Sequence, residues 1–319
     1  MFKKVVVAII SLAIIAGIGF GIYIGIREGF FVDSYKKITD PITFEINDTL
    51  PDADGEVARV IILAGQSNAS GCSRDEYLQK NVSAEKYAEY ENGYDNIYIN
   101  YFSSGKNLSN GFVKTSTCQG EEGGFLGPEI GMAEKLSELY PDEKFYIVKY
   151  AWGGTDLYDQ WLSPTSVGKT GKRYKEFEQF VKTSLKYLDS KGYDVKIEGM
   201  CWMQGESDSF FVETATDYQQ NLENLIKDVR RKFRRYGADD GIAFIDATIA
   251  YSPSYWVYGE LVNESKRAVA ESATMHKLID TSDLICSEEP IEKPDIPHYD
   301  SMSELELGYR FIEALSSFM

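Results

Sequence analysis

Apolar residues fall along this chain in three patterns. Residues 5–26 (VVVAIISLAIIAGIGFGIYIGI) form an unbroken apolar run without a charge, preceded by Lys3 and Lys4 and followed by Arg27 and Glu28. As a helix the run would extend about 33 Å, matching a hydrocarbon layer of roughly 30 Å. It is longer than the apolar part of most cleaved signal peptides, and no small-x-small site precedes the charges. The pattern predicts a cytoplasmic tail and transmembrane signal-anchor over 1–27, with the remainder held outside the membrane; cleavage would instead release a secreted protein. Basic residues on both flanks leave the orientation to the exporting habit of short N-terminal anchors.

Residues 28–56 are polar and turn-rich (DPITFEINDTLPDADGE) and read as a juxtamembrane stalk. From 57 to 319 short apolar runs alternate with helical periodicity. Runs at 58–64, 97–102, 144–151, 196–203, 242–247 and 278–284 predict strands, several apolar throughout as strands buried on both faces are. Helices are predicted over 128–140, 174–188, 215–235, 260–277 and 302–318, with Pro128 suited to a first turn. The alternation predicts one α/β domain whose mainly parallel sheet is sandwiched by helices.

Composition narrows the function. Hydrophobic residues at 43% and aromatics at 13% exclude a disordered chain. Fifty acidic against 33 basic residues give a net charge of -17, which disfavours nucleic acid. Two histidines and four scattered cysteines, with no CxxC, make no all-protein metal site. Neither a GxGxxG nor a GxxxxGK[ST] loop follows a strand, so no nucleotide cofactor is implied. Cys201 reads as a buried small hydrophobe, and Cys72 and Cys118 as a pair only if their loops meet.

In open α/β sheets ligands bind beyond the carboxyl ends of strands. There the sequence places Gly65-Gln66-Ser67-Asn68, Trp152-Gly153-Gly154-Thr155-Asp156, Gln204-Gly205-Glu206-Ser207-Asp208 and, near the end, Asp295-Ile296-Pro297-His298. These are the parts of a nucleophilic acyl-transfer site. Ser67 is the candidate nucleophile, set against a helix-capping serine, and it is not in a GxSxG elbow because Ala69 holds the last place. His298 is the candidate base, with Asp295 three residues before it as partner. Gly153 and Gly154 can bring a backbone N–H to a substrate oxygen, and the Gln204 amide can donate to the same oxygen. Glu206 and Asp208 are either orienting acids or hydrogen-bonded loop residues. His276 has no acid beside it and reads as structural. Tyr251, Tyr255, Trp256 and Tyr258 are sugar-stacking or core aromatics, and Trp152 and Trp161 carry the same pair of readings.

The blocks GQSN at 65–68, GPEIGMA at 127–133, KYAWGGT at 149–155, WMQGESD at 202–208, HYD at 298–300 and ELELG at 304–308 together resemble the sialate O-acetylesterase-like domain, which includes carbohydrate esterase family six and its acetyl xylan esterases within the SGNH-hydrolase superfamily. The resemblance implies a three-layer α/β/α fold like flavodoxin and a metal-free, cofactor-free serine esterase that deacetylates carbohydrates. It implies Ser67 as nucleophile, His298 as base, Asp295 as its partner and Glu206 as a fourth participant. It implies an oxyanion hole from Ser67, Gly153 or Gly154, and Gln204. Asn68, Trp152, Asp156, Tyr255 and Trp256 are then expected at the substrate. Ala69 and Asp156 depart from the residues usual in the family, which bears on substrate fit. Two other classes fit the chain less closely: a membrane-tethered glycan-binding protein without turnover, and a lipid or thioester hydrolase of the wider superfamily.

Overall fold

A computed structural model describes residues 43–238, 240–250, 255–287 and 295–319, without the side chains of 287, 295 and 296. The expected span over 5–26 lies outside the described residues, and among the described ones no helix is long and apolar enough to cross a membrane. Residues Phe44–Met319 form one compact unit. The stretch read as stalk therefore joins the domain from Phe44 onward: that ring packs edge-on against Phe102 and Phe180, and Leu50 is buried.

Six parallel strands build the central sheet: β1 (Val57–Gly65), β2 (Ile97–Ser103), β3 (Phe145–Ala151), β4 (Asp194–Met203), β5 (Ala243–Ala247) and β6 (His276–Ile279). Their order is β6-β5-β4-β1-β3-β2, extended beside β2 by the short antiparallel strands Asn107–Leu108 and Val113–Lys114. Every residue of β3 and of β5 is buried, so layers cover both faces of the sheet. The helices that frame the sheet and the site are α1 (Ser67–Ser70), α2 (Glu129–Leu139), α3 (Lys172–Ser190), α4 (Val212–Phe233), α5 (Gly259–Ser272) and α6 (Ser301–Ser316), and two further helices, Asp75–Asn81 and Ala84–Asn92, lie between α1 and β2 in the chain. A last strand, β7 (Asp295–Tyr299), pairs antiparallel with Cys286–Ser287 and leads into α6.

The predicted elements are found with shifted ends. The largest shift is at 260–277, where α5 stops at Ser272 and residues 276–279 become β6. Buried His276 packs its ring on Phe244 of the neighbouring strand, 5.2 Å between centroids, and this cross-strand contact outweighs continued helical periodicity.

Topology fixes where chemistry can occur. β3 lies on one side of β1 and β4 on the other, so the chain reverses its winding at β1 and leaves a crevice at the carboxyl ends of these strands. Gly65 is paired with Ala151 on β3 and with Met203 on β4. The three loops that follow consequently start from one row.

Candidate active site

The turn carrying Ser67 is dictated by Gly65. Its φ is +144°, and a Cβ there would lie 1.9 Å from the Met203 carbonyl oxygen, so only glycine lets β1 turn this close to β4. The Gln66 N–H donates to that same carbonyl at 2.9 Å. The Gln66 side-chain oxygen accepts from the N–H groups of Gly205 and Ser207 and from the Gln204 amide, each at 3.3 Å. Ser67 therefore begins α1 on a turn stitched to the loop after β4.

Asn68 stitches a third segment to it. Its amide donates to Glu206 Oε1 at 2.9 Å and to the Pro297 carbonyl at 3.4 Å, while its oxygen accepts the Tyr299 N–H at 3.3 Å. His298 lies between those two contacts on β7. Asp300, two residues on, caps α6 by accepting the Ser303 N–H at 2.8 Å, which fixes the exit of β7.

A cleft of about 300 Å³ results, lined by Ser67, His298, Gly153, Gly154, Glu206, Tyr255 and Trp256, together with Gln66, Cys72, Glu121, Ser207, Phe210 and Pro297. Candidate residues from four distant stretches thus share one cavity. The Asp295 side chain lies outside the described ones. Glu206 is 3% exposed, and its Oε2 has no hydrogen-bond partner among the described residues. Burial raises its carboxyl above the usual range, while Lys266, the Asn68 amide and the nearby charge of His298 pull the other way.

Other expected site residues point elsewhere. Gln204 is fully buried beneath the cleft. Its amide nitrogen contacts the Thr155 carbonyl at 3.0 Å and Asp208 Oδ2 at 2.6 Å as well as Gln66, and its oxygen accepts from Tyr218. No proton remains for a substrate oxygen, so Gln204 braces the loops rather than lining the hole. Asn68 is likewise a buried tie, not a substrate contact. Asp156 caps a turn by accepting the Asp159 N–H at 2.6 Å, and Trp152 lies 3.3 Å beneath the Arg173 guanidinium; neither lines the cleft. Trp256 is buried and supports Tyr255, whose ring is 41% exposed. Tyr251 lies outside the described residues. Cys72 and Cys118 form no disulfide.

Glu121 and Ser104 had no sequence signal, because both lie in irregular chain away from the strand-end motifs. The Glu121 carboxylate accepts from Ser70 Oγ at 3.0 Å, Cys72 Sγ at 3.3 Å and Lys106 Nζ at 3.0 Å, and also from the Ser104 hydroxyl. Burial alone would raise this carboxyl, but these donors outweigh it and hold it below the usual range. Ser104 in turn accepts the Gly153 N–H at 2.9 Å. Of the glycine pair, Gly154 alone has positive φ, +65°, and space beside its Cα. Phe210 was also missed, since the adjacent pair Phe210–Phe211 after an acidic loop has no period to mark which ring meets the cleft.

Comparison with known proteins identifies the family. Residues 57–317 match the family model described as carbohydrate esterase, sialic acid-specific acetylesterase. The chain belongs to this family. It is a carbohydrate esterase, a hydrolase that removes O-acetyl groups. No curated protein matches it in sequence. Among solved structures, NanS aligns with a TM-score of 0.61 at 16% identity, over 83% of this chain and 98% of that one. A protein from Arabidopsis thaliana aligns at 0.58 and 19% identity, over 82% and 100%. A carbohydrate acetylesterase from Xanthomonas citri aligns at 0.56 and 14%, over 80% and 55%. These likenesses establish the shared fold, and the family match establishes the carbohydrate esterase class.

Proposed function

We propose that the chain deacetylates carbohydrates through an acetyl-serine intermediate on Ser67. In this reading His298 takes the Ser67 proton as Oγ attacks the acetyl carbonyl carbon. The carbonyl π electrons move to oxygen, and the N–H groups of Ser67 and Gly154 receive the oxyanion. Gly153 is left out of that pair because Ser104 already holds its N–H. Collapse expels the sugar oxygen, which His298 protonates. Water, deprotonated by His298, then attacks the acetyl-serine, and His298 returns that proton to Oγ as the C–Oγ bond breaks, which releases acetic acid and free Ser67.

Asp295 is the expected partner of the imidazole, and Glu206 sets a second carboxylate close to it. What supports the reading above all is that Ser67 and His298, distant in sequence, line one cleft beside Gly154 and Glu206. The test is turnover of p-nitrophenyl acetate and of acetylated sugars by the parent and by Ser67→Ala. Loss in the variant, with acetyl trapped on Ser67 by acid quench and mass spectrometry, is expected. Undiminished turnover by Ser67→Ala dismisses the proposal.

The apolar stretch 5–26 is proposed to anchor the enzyme with residues 57–319 outside the membrane. Protease added to intact cells should then degrade the esterase domain, and full protection would reverse that topology.

A further inference from the structure

Several of the large apolar side chains exposed at the surface lie at the lip of the catalytic cleft or next to it in sequence. Phe210 at 43% and Tyr255 at 41% exposure stand at its lip, their ring centroids 6.1 Å apart. Phe211 follows at 65% exposure, with Val212 beside it and Val257 next to Trp256 in sequence. Val212 shares a depression with Tyr158, and Tyr158 then forms part of the wall of a groove of about 720 Å³. Along the chain, Phe210 of the cleft is followed by Phe211 and then by Val212 of the depression that adjoins this groove. Buried Asp208 secures the join, accepting the Leu157 and Tyr158 N–H groups from within the turn that carries Phe210.

The groove differs in chemistry from the ridge leading to it. Asp217, Gln220 and Asn224 from α4 face Asp159 and Thr165 across it, a set rich in amides and carboxylates. A sugar chain suits both halves, since pyranose rings have apolar C–H faces and hydroxyl-bearing edges. Charge argues for an uncharged chain. Neither Arg nor Lys lines the catalytic cleft among the described residues, whereas Glu121 and Glu206 do, and Asp159 and Asp217 outnumber Lys169 in the groove. An anionic lipid surface would meet the same acidic rim, which disfavours a membrane as the occupant.

We infer that this ridge and groove form a binding track for an uncharged O-acetylated oligosaccharide, with the acetylated unit at Ser67 and further units crossing Phe210 and Phe211 toward Asp217 and Gln220. The inference rests on the esterase reading and adds the length and charge of the substrate. Exposed aromatic faces lose solvent-facing area when a sugar stacks on them, and amides replace the water on its hydroxyls, so affinity accumulates with each unit bound.

The test uses the full-length chain with p-nitrophenyl acetate and acetylated xylooligosaccharides from monomer to hexamer. The expected result is a kcat/KM that rises with chain length through a falling KM. Phe211→Ser, and Tyr158→Ala combined with Gln220→Ala, should lower the hexamer-to-monomer ratio roughly three- to tenfold each. Ser67-dependent turnover with a flat length profile overturns the track and leaves the esterase reading standing. Equal losses on monomer and hexamer overturn it too. So does rate enhancement by phosphatidylcholine vesicles that Phe211→Ser abolishes while the length profile stays flat, which assigns the ridge to a lipid surface. Absence of Ser67-dependent turnover on every substrate removes both readings.

Discussion

Asn68 donates to Glu206 Oε1 at 2.9 Å, tying the residue after the proposed nucleophile to the carboxylate beyond β4. Because the same side chain also contacts Pro297 and Tyr299 on either side of His298, one amide sets the spacing of the three segments that carry Ser67, Glu206 and His298. Asn68→Ala should therefore impair the site twice, by leaving Glu206 short of a donor and by loosening β7. A buried group stripped of its partner costs about 1–3 kcal/mol, so a lower melting midpoint and a fall in kcat are expected together. Asn68→Asp should be worse, since it opposes two buried carboxyl groups. Calorimetry and steady-state kinetics on p-nitrophenyl acetate check both; a parental kcat in either variant would count against this role.

Glu121 governs the glycine loop through Ser104. The serine sits at a φ of +52°, a left-handed conformation that non-glycine residues adopt at a cost of about 1–3 kcal/mol, and its hydroxyl bridges Glu121 to the Gly153 N–H. Removing the charge with Glu121→Gln should release the bridge and misplace the adjoining Gly154 N–H. Displacements near 1 Å can cost on the order of a hundredfold in rate, so a fall in kcat of roughly ten- to a hundredfold with little change in KM is expected. Ser104→Ala should show the same split. Unchanged kcat in both variants, with parental melting midpoints, would rule the bridge out as a positioning device.

The buried pair Lys266–Asp246 lies at 2.7 Å with both side chains fully enclosed, and the lysine charge also lowers the Glu206 carboxyl. Lys266→Met leaves a lone carboxylate in the core and should cost roughly 3–5 kcal/mol. Lys266→Met with Asp246→Leu should recover much of that stability. It should not return the Glu206 carboxyl to its parental value, because the opposing charge is still missing. Denaturant titration separates the single from the double variant, and equal losses in the two would contradict the pairing.

His276 supplies a pH dependence apart from catalysis. Burial, helped by the charges of Arg230 and Lys266, pushes its imidazole down to about 4. The unfolded chain takes up that proton below about 6.5, the folded chain only near 4, so stability is lost as pH falls through this window. Between pH 7.5 and 5 the loss from this residue should be on the order of 1–2 kcal/mol. His276→Phe should lack that component. Urea midpoints at both pH values measure it, and identical pH slopes in parent and variant would refute it.

The sheet was readable from sequence because buried parallel strands are apolar on both faces, as 58–64, 144–151 and 196–203 show. Ser67, Gly154, Glu206 and His298 could be located since each follows such a strand or lies beside a recognisable acid. Side-chain direction was not readable. A glutamine at a strand end looks the same whether its amide meets substrate or, as in Gln204, disappears under the loops against Thr155 and Asp208. Glu121 and Ser104 owe their place to the fold of an irregular loop, and no periodic pattern announces that. The split among aromatics, Trp256 inward and Tyr255 outward, depends on tertiary packing of adjacent residues.

The placement of β1 between β3 and β4 bears on how the enzyme comes into being. The ribosome releases β1 first, yet both flanking strands leave the tunnel much later, and the segment bearing His298 later still. A half-made chain therefore carries an apolar strand with bare edges, a surface prone to wrong pairing unless a chaperone shields it. Activity during synthesis should be absent until almost the entire polypeptide is out.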